Sequence, residues 1–427
     1  MASAEVRRAP ASIGQRQLWL MERRDGANGA LNIFNAFRLR GPLQEGALLE
    51  ALRDLLARHE GLRTTFCGRG PGLSQVVHPP YPMPDRVVKQ ADIPATRLDD
   101  AVRTQARRRF NLGAEWPCRM RLFRIDRDDH LLTISVHHIV ADGWSMNVLM
   151  DDLQRLYSVH LGDQVESPAP PAWHQADFAL WQQRCAEDGS LAKRVAYWRE
   201  ALGESQPISL PSVLRQPSED QEHEPGVVLY DVPDQAGRLF RETALRYRST
   251  FFTVFLAAFA GYLAACTGQE KVVVPVFFAN RTRKQARRTV GYLSNLVLLP
   301  IDVAGHPPFP ELVYRTRHIV TNAFANQDVP YQVVPPPDGG SGRRRHPELV
   351  LEYLNTPGNL ELKLAGLEAE AYYPEVGAHT RFAVELHVIA RSDGLKLVCF
   401  YAPHLTCSGA ILRFFNGFID FALRLNE

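Results

Sequence analysis

The chain has 427 residues, of which 45% are apolar and 22% charged, with a formal net charge of +2. This is a globular composition with length for two domains, and the near-balanced charge gives no general pull toward nucleic acid or a membrane surface. Six scattered cysteines without a CxxC pair point to free thiols in a reducing compartment. MASAEVRRAP has no apolar core of signal length, and no stretch approaches the roughly 18 uninterrupted apolar residues of a membrane span. A soluble, cytoplasmic monomer is expected.

In chain order, Leu43 to Arg58 reads as an amphipathic helix, with Leu48, Leu49, Leu52, Leu55 and Leu56 on one stripe. His130 to Val140 reads as a buried strand, and Trp144 to Tyr157 as a helix. Residues 162 to 172 are a Pro-rich loop. Gln175 to Leu202 is a helical stretch carrying Trp181 and Trp198. Residues 211 to 226 have no periodicity and read as a linker. The pattern then restarts, with strands expected at Val227–Val232, Lys271–Phe278, Leu296–Val303, Leu349–Leu354, Arg381–Ile389 and Leu395–Tyr401. Helices are expected at Gln235–Arg246, the strongly apolar Phe251–Cys266, and Ser408–Leu425. Strands and helices alternate in two halves, so the fold class is α/β. There is no sequence-level repeat between the halves.

The chemistry gathers at residues 134 to 146, ISVHHIVADGWSM. Adjacent histidines at a strand end point to opposite faces, so His137 and His138 cannot share one task. An imidazole titrates near neutral pH and can take and return a proton. Asp142 stands where a helix N-cap would stand. Gly143 removes side-chain bulk, which lets a substrate approach the backbone. Amides opening the following helix favour a developing negative charge. A base, a bare backbone and a positive helix end suit acyl transfer. No G-x-S-x-G elbow stands beside them, so a covalent acyl-enzyme is not required. A metal site is the competing use of histidine, but the two rings diverge and no nearby Cys or Glu completes a tetrahedral set. No metal is expected.

HHIVADG resembles the HHxxxDG motif of the condensation domains of non-ribosomal peptide synthetases, within the chloramphenicol-acetyltransferase-like superfamily. Further motifs follow in the family's order. SIGQRQLWL at 12 to 20 is similar to SxAQxRLW, with Gly14 in place of Ala. RHEGLRTTF at 58 to 66 is similar to RHExLRTxF, and HQADFALW at 174 to 181 to YxDFAxW. VGYLSNL at 290 to 296 resembles GxFVNT, and NQDVPYQVV at 326 to 334 resembles HQDxPFExV. The resemblance covers nearly the whole chain.

It implies two acetyltransferase-like lobes in a V with a tunnel between them. Residues 1–175 would form the N-terminal lobe carrying HHxxxDG, residues 176–226 a connecting helix and linker, and residues 227–427 the C-terminal lobe. Substrates would be acyl or aminoacyl groups on the phosphopantetheine arms of carrier proteins, with no bound cofactor. His138 would act as general base, or position the nucleophile and steady the tetrahedral intermediate. His137 would be structural. Asp142 would pair with Arg63 and fix the loop. Gly143 would place its amide near the reacting carbonyl, and Asn295, the Asn of GxFVNT, would reach the site from the other lobe. For Trp144 core packing is expected. Two basic clusters, RTRKQARR at 281 to 288 (Arg283, Lys284, Arg287, Arg288) and GRRR at 342 to 345, read either as solvated surface or as a dock for an acidic carrier protein or its phosphopantetheine phosphate.

The sequence departs from the family in places. RDxSRNPL survives only as RRRHPEL at 343 to 349, FDL reads FAV at Phe382 to Val384, and YNTDLF is replaced by YAPHLT at 401 to 406. These departures put the usual acceptor in doubt more than the chemistry. DGWS is kept rather than the DxxSW of epimerisation domains. Both histidines stand, unlike in the recruiting domains of glycopeptide assembly. An active enzyme forming an amide, or an ester, is therefore expected. Two other classes stay open: an acyltransferase using coenzyme A or a soluble acceptor, and a non-catalytic recruiting platform for carriers or tailoring enzymes. The start MASAEVRRAP favours a free-standing protein over a piece cut from a synthetase.

Overall fold

The computed structural model describes residues 6–24, 29–217, 226–334, 346–354, 361–372, 380–390 and 394–425. In chain order the elements are β1 (Arg7–Pro10), α1 (Ile13–Arg24), β2 (Asn32–Arg40), α2 (Glu45–Arg58), β3 (Thr64–Cys67), β4 (Ser74–Val77), β5 (Val88–Asp92), α3 (Leu98–Arg107), β6 (Cys118–Asp126), β7 (Asp129–His137), α4 (Gly143–Leu161), α5 (Gln175–Glu187) and α6 (Ala192–Leu202). The remainder are β8 (Gly226–Val232), α7 (Asp234–Arg246), α8 (Phe251–Thr267), β9 (Lys271–Phe278), β10 (Asn295–Asp302), α9 (Phe309–Asn326), β11 (Leu349–Leu354), β12 (Glu368–Ala371), β13 (Val384–Ala390), β14 (Leu395–Tyr401) and α10 (Ser408–Arg424). The α/β class expected from the alternation is what the chain forms.

The chain divides into two compact units, and neither is continuous in sequence. One comprises 1–188, 281–294 and 356–376; the other comprises 189–280, 295–355 and 377–427. The chain thus leaves the second unit after Asn280, runs through the first from Arg281 to Ser294, and returns at Asn295.

The first unit is built on a five-stranded sheet in the order β12-β2-β7-β6-β5, beside a small β1-β4-β3 sheet. β7 lies between β2 and β6, antiparallel to both, and brings His137 opposite Asn32. Its LLTISVH run is buried throughout, as a strand covered on both faces must be. On one face, Leu132, Ile134 and Val136 pack with Leu52, Leu55 and Leu56 of α2 and Met146, Leu149 and Leu153 of α4. On the other, Leu131 packs with Leu98 and Val102 of α3. β7 ends at His137, short of Val140, because residues 138–140 tighten into a 3-10 turn. α4 begins at Gly143 and runs four residues beyond Tyr157, to Leu161, where Gly162 adopts φ 86° and closes the helix. The long helix expected over Gln175 to Leu202 is two, α5 and α6, separated at Gly189 with φ 72°.

The second unit is built on a six-stranded sheet, β10-β9-β11-β13-β14-β8, parallel where β11 meets β9 and β13. Its core is aromatic. Phe418 of α10 meets Phe255 at 5.3 Å, Phe259 at 5.5 Å and Phe240 at 6.2 Å between ring centres. α8 is apolar on nearly all sides because Val254 to Ala260 are all buried. Among the described residues no single helix is long and apolar enough to cross a membrane.

Phe418 is fully buried, so Phe418→Ala is expected to destabilise the second unit by about 3–5 kcal/mol. Chemical denaturation with a probe in that unit measures the loss; a loss below about 1 kcal/mol contradicts the packing described.

Candidate active site

The site grows from the end of β7. His137 is 1% exposed and acts as N-cap of the 138–140 turn, its Nδ1 accepting the Ile139 N–H at 3.0 Å. An accepting Nδ1 puts the proton of the neutral ring on Nε2, which faces Glu22 Oε2 at 3.3 Å. Burial pushes the His137 pKa down, against the pull of Glu22. His137 is thus held inside the fold, with its Nδ1 committed to the 138–140 turn.

His138 is half-buried. Its Nδ1 lies 3.2 Å from the carbonyl of Ala141. A carbonyl only accepts, so Nδ1 carries the proton and the neutral ring holds its basic lone pair on Nε2. The ring of Tyr292 stands edge-on, 6.3 Å away at 80°.

Asp142 caps α4. Its Oδ1 accepts Ser145 N at 2.9 Å, Ser145 Oγ at 2.7 Å and Arg281 Nη2 at 2.9 Å. Its Oδ2 accepts Arg281 Nη1 at 2.9 Å, Leu293 N at 3.1 Å, Ser294 N at 2.9 Å and Ser294 Oγ at 3.0 Å. Burial works against the charged form, but Arg281 and Ser145 outweigh it and hold the carboxyl below the usual range. The partner expected for Asp142 was Arg63. That pairing is corrected: Arg63 donates to the carbonyl of His78 and lies 4.0 Å from Glu60, while the buried Arg281 takes the carboxylate in a two-pronged grip. Arg281 reads in the sequence as one more cation of a basic run, so its inward turn was missed.

Ser145 Oγ also accepts Gly291 N at 3.1 Å and lies 2.9 Å from Gly291 O, so residues 291–294 are bound to the first turn of α4. Gly143 opens that turn, where helix amides carry no intrahelical partner. Trp144 is half-buried against the core, and its indole N–H donates to the carbonyl of Arg287 at 2.8 Å.

The flanking motifs serve the same turn. Gln15 of α1 is fully buried, and its Nε2 donates to Ile139 O at 3.0 Å. A Cβ on Gly14 would lie 2.8 Å from Tyr292 Cε1. Glycine there, where the family pattern has alanine, makes room for the tyrosine beside His138. Arg58 and His59 both hold the buried Asp152 of α4, at 2.9 Å each, and Arg288 binds its other oxygen.

Asn295 belongs to the second unit, where it is buried at the start of β10 and donates through Nδ2 to Gln327 O at 2.7 Å. In the basic run, Arg283 lies over the Trp181 ring at 4.4 Å and Arg288 pairs with Asp151 at 2.5 Å. Lys284 and Arg287 are exposed. GRRR at 342–345 lies outside the described residues. One group with metal-ligand geometry occurs among the described residues: Glu352, Glu385 and His387, in the second unit, with ligand atoms within 4.8 Å. Arg381 donates to Glu385 at 2.8 Å and burial of that carboxylate is outweighed by Arg381 and His387, so the group is already charge-paired.

A family model described as Condensation domain matches residues 6–424. A protein of Salinispora arenicola named "Probable non-canonical nonribosomal peptide synthetase (NRPS) CymA" is 32% identical over 428 residues, covering 96% of this chain and 5% of that protein. Enniatin synthetase of Fusarium oxysporum is 30% identical over 401 residues, 92% of this chain and 13% of that protein. The chain thus spans a small fraction of these relatives. Among solved structures, the X-domain from teicoplanin biosynthesis is similar with a TM-score of 0.83 at 24% identity, covering 100% of this chain and 98% of that one. At that identity the likeness concerns the fold.

Two outcomes are expected. Because the Asp142 pKa is depressed by folding, its stabilisation is complete above the unfolded carboxylate range and is lost as pH falls through the folded value. Wild-type stability should therefore fall more steeply below about pH 4 than that of Asp142→Asn; parallel curves in denaturant titrations contradict this. Gly14→Ala is expected to cost about 1–3 kcal/mol through the clash with Tyr292, and Tyr292→Leu in the same chain to restore most of it; thermal melts of the three variants decide.

Proposed function

The chain belongs to the condensation-domain family, and from that premise we propose that it transfers an acyl or aminoacyl group from a carrier-protein phosphopantetheine thioester to an amine or hydroxyl acceptor. The observation that carries this reading is the His138 ring, whose Nδ1 is committed to Ala141 O and whose Nε2 is therefore the basic atom.

The acceptor N–H or O–H meets Nε2, and its lone pair attacks the thioester carbon. The carbonyl π electrons move to oxygen, and Nε2 takes the acceptor's proton. Collapse of the tetrahedral intermediate breaks the C–S bond, and the imidazolium returns its proton to the departing thiolate. Whether Nε2 chiefly removes the proton or chiefly orients the nucleophile, the same atom acts. The Gly143 amide, at the positive end of α4, favours the charge on the carbonyl oxygen. Asn295 enters the proposal on its motif position. No bound cofactor is required, because the activated bond arrives on the carrier. Lys284 and Arg287, exposed and basic, are the proposed contacts for an acidic carrier; Arg283 and Arg288 belong to the same patch but are also engaged with Trp181 and with Asp151 and Asp152.

A second reading is a non-catalytic platform. The teicoplanin X-domain has been solved in complex with OxyB, and on this reading the present chain would bind a partner protein instead of transferring an acyl group. The intact His138 site favours transfer.

Two measurements test the proposal. Purified protein is given an acyl-loaded carrier and a panel of free and carrier-bound amines and alcohols, with products followed by mass spectrometry. Wild type should form an amide or ester, and His138→Ala should lose about 100-fold or more in rate. Carrier binding without product, equal in both proteins, would support recruitment instead; product from acyl-coenzyme A alone would support a soluble-donor acyltransferase. Lys284→Glu with Arg287→Glu should raise the carrier KM about tenfold and leave turnover of a small soluble thioester unchanged. An unchanged carrier KM removes the docking assignment.

A further inference from the structure

The 138–140 turn is gripped from below by one face of α1. Gln15 and Glu22 are seven residues apart, two helical turns, and so share a stripe. Gln15 holds the Ile139 carbonyl at 3.0 Å. Glu22 faces His137 Nε2 at 3.3 Å and is 11% exposed, with Arg109 Nη2 at 3.7 Å from its other oxygen.

His137 needs that partner. Its Nδ1 caps the turn only while unprotonated, because it must accept the Ile139 N–H. A neutral imidazole has one proton for two nitrogens. Without an acceptor beside Nε2, the proton is free to sit on Nδ1, where it would oppose the Ile139 N–H donor to donor. The cap bond would be lost and the turn would loosen. His138 is the next residue, and its own Nδ1 contact with Ala141 O spans this turn.

We infer that Glu22 is a positioning residue for the reaction: by fixing the His137 tautomer it locks the turn that aims His138 Nε2. Glu22 bears on catalysis only through His138, so this extends the acyl-transfer reading proposed above. Glu22 itself lies outside the HHIVADG stretch, on α1, and reaches it only through His137; it acts through another residue and not on a reacting atom.

The test uses the full chain and the loaded-carrier assay. Glu22→Leu removes the acceptor and should lower kcat at least about tenfold while the carrier KM stays within about twofold. Glu22→Gln keeps an acceptor oxygen and should stay within about threefold of wild type. His137→Asn caps the turn with an amide oxygen that needs no tautomer; in that background, Glu22→Leu should cost nothing further. Full kcat in Glu22→Leu, a Glu22→Gln variant as impaired as Glu22→Leu, or an undiminished effect of Glu22→Leu on His137→Asn would each overturn the assignment. A readout independent of activity is the imidazole 1H–15N spectrum of histidine-labelled protein, with the ring assigned by its absence in His137→Asn. An Nε2–H tautomer that is lost in Glu22→Leu supports the role, and an unchanged tautomer overturns it. If His138→Ala keeps full turnover, the acyl-transfer assignment of that ring fails, while the spectrum still decides whether Glu22 sets the His137 tautomer.

Discussion

The buried ion pair of Asp142 with Arg281 is the contact on which the site depends. A carboxylate at 2% exposure is costly to ionise unless every lone pair is met. Here one carboxylate meets the cap of α4 through Ser145, the guanidinium of Arg281, and the amides of Leu293 and Ser294. Two pieces of chain distant in sequence, the start of α4 and segment 281–294, are thereby fixed against each other, the second at both of its ends. The turn carrying His138, the helix start at Gly143 and the ring of Tyr292 all stand on it. The penalty for burying one unpaired charge is what makes the arrangement specific: no neighbouring carbonyl or hydroxyl can replace Arg281.

Ten residues along α4, Asp152 repeats the device. It is fully buried and takes Arg58 and His59 from one side and Arg288 from the other. Segment 281–294 is therefore pinned to α4 at two acidic posts, Asp142 through Arg281 and Asp152 through Arg288. Trp144 adds a third tie through the Arg287 carbonyl. This explains why a motif at 58–66, far from the histidines in sequence, belongs to the same chemistry. Its first two residues hold the helix post, and Arg63, whose guanidinium bonds the His78 carbonyl, holds the β3–β4 hairpin instead.

Much of this was legible in the sequence. The apolar run before His137 announced a buried strand, and Asp-Gly after it announced a helix cap. The expectation that the two histidines have different tasks rested on strand alternation; the structure gives them different partners, but His138 lies past the end of β7, in the 3-10 turn, so strand alternation is not what separates them. The ordered motifs identified the family. Other features were not legible, for physical reasons. A cation in RTRKQARR looks solvated until the chain is folded, because one-dimensional charge density says nothing of which guanidinium turns inward. The 3-10 turn at 138–140 is set by the cap from His137, not by propensity. Gly189 sits in a stretch whose helical periodicity continues on both sides, so the break between α5 and α6 depends on a positive φ that periodicity does not report. Gly14 looked like a minor departure, and only the Tyr292 ring gives it a reason.

The most direct measurement is a double-mutant cycle on stability between Asp142 and Arg281, with Asp142 and Arg63 as the control cycle. Asp142→Asn, Arg281→Met and their combination should show a coupling of about 3 kcal/mol, because either single change removes the opposite charge that the other faces in a buried setting. Asp142→Asn combined with Arg63→Met should be additive within about 0.5 kcal/mol. Additivity between Asp142 and Arg281, or strong coupling between Asp142 and Arg63, would contradict the architecture described.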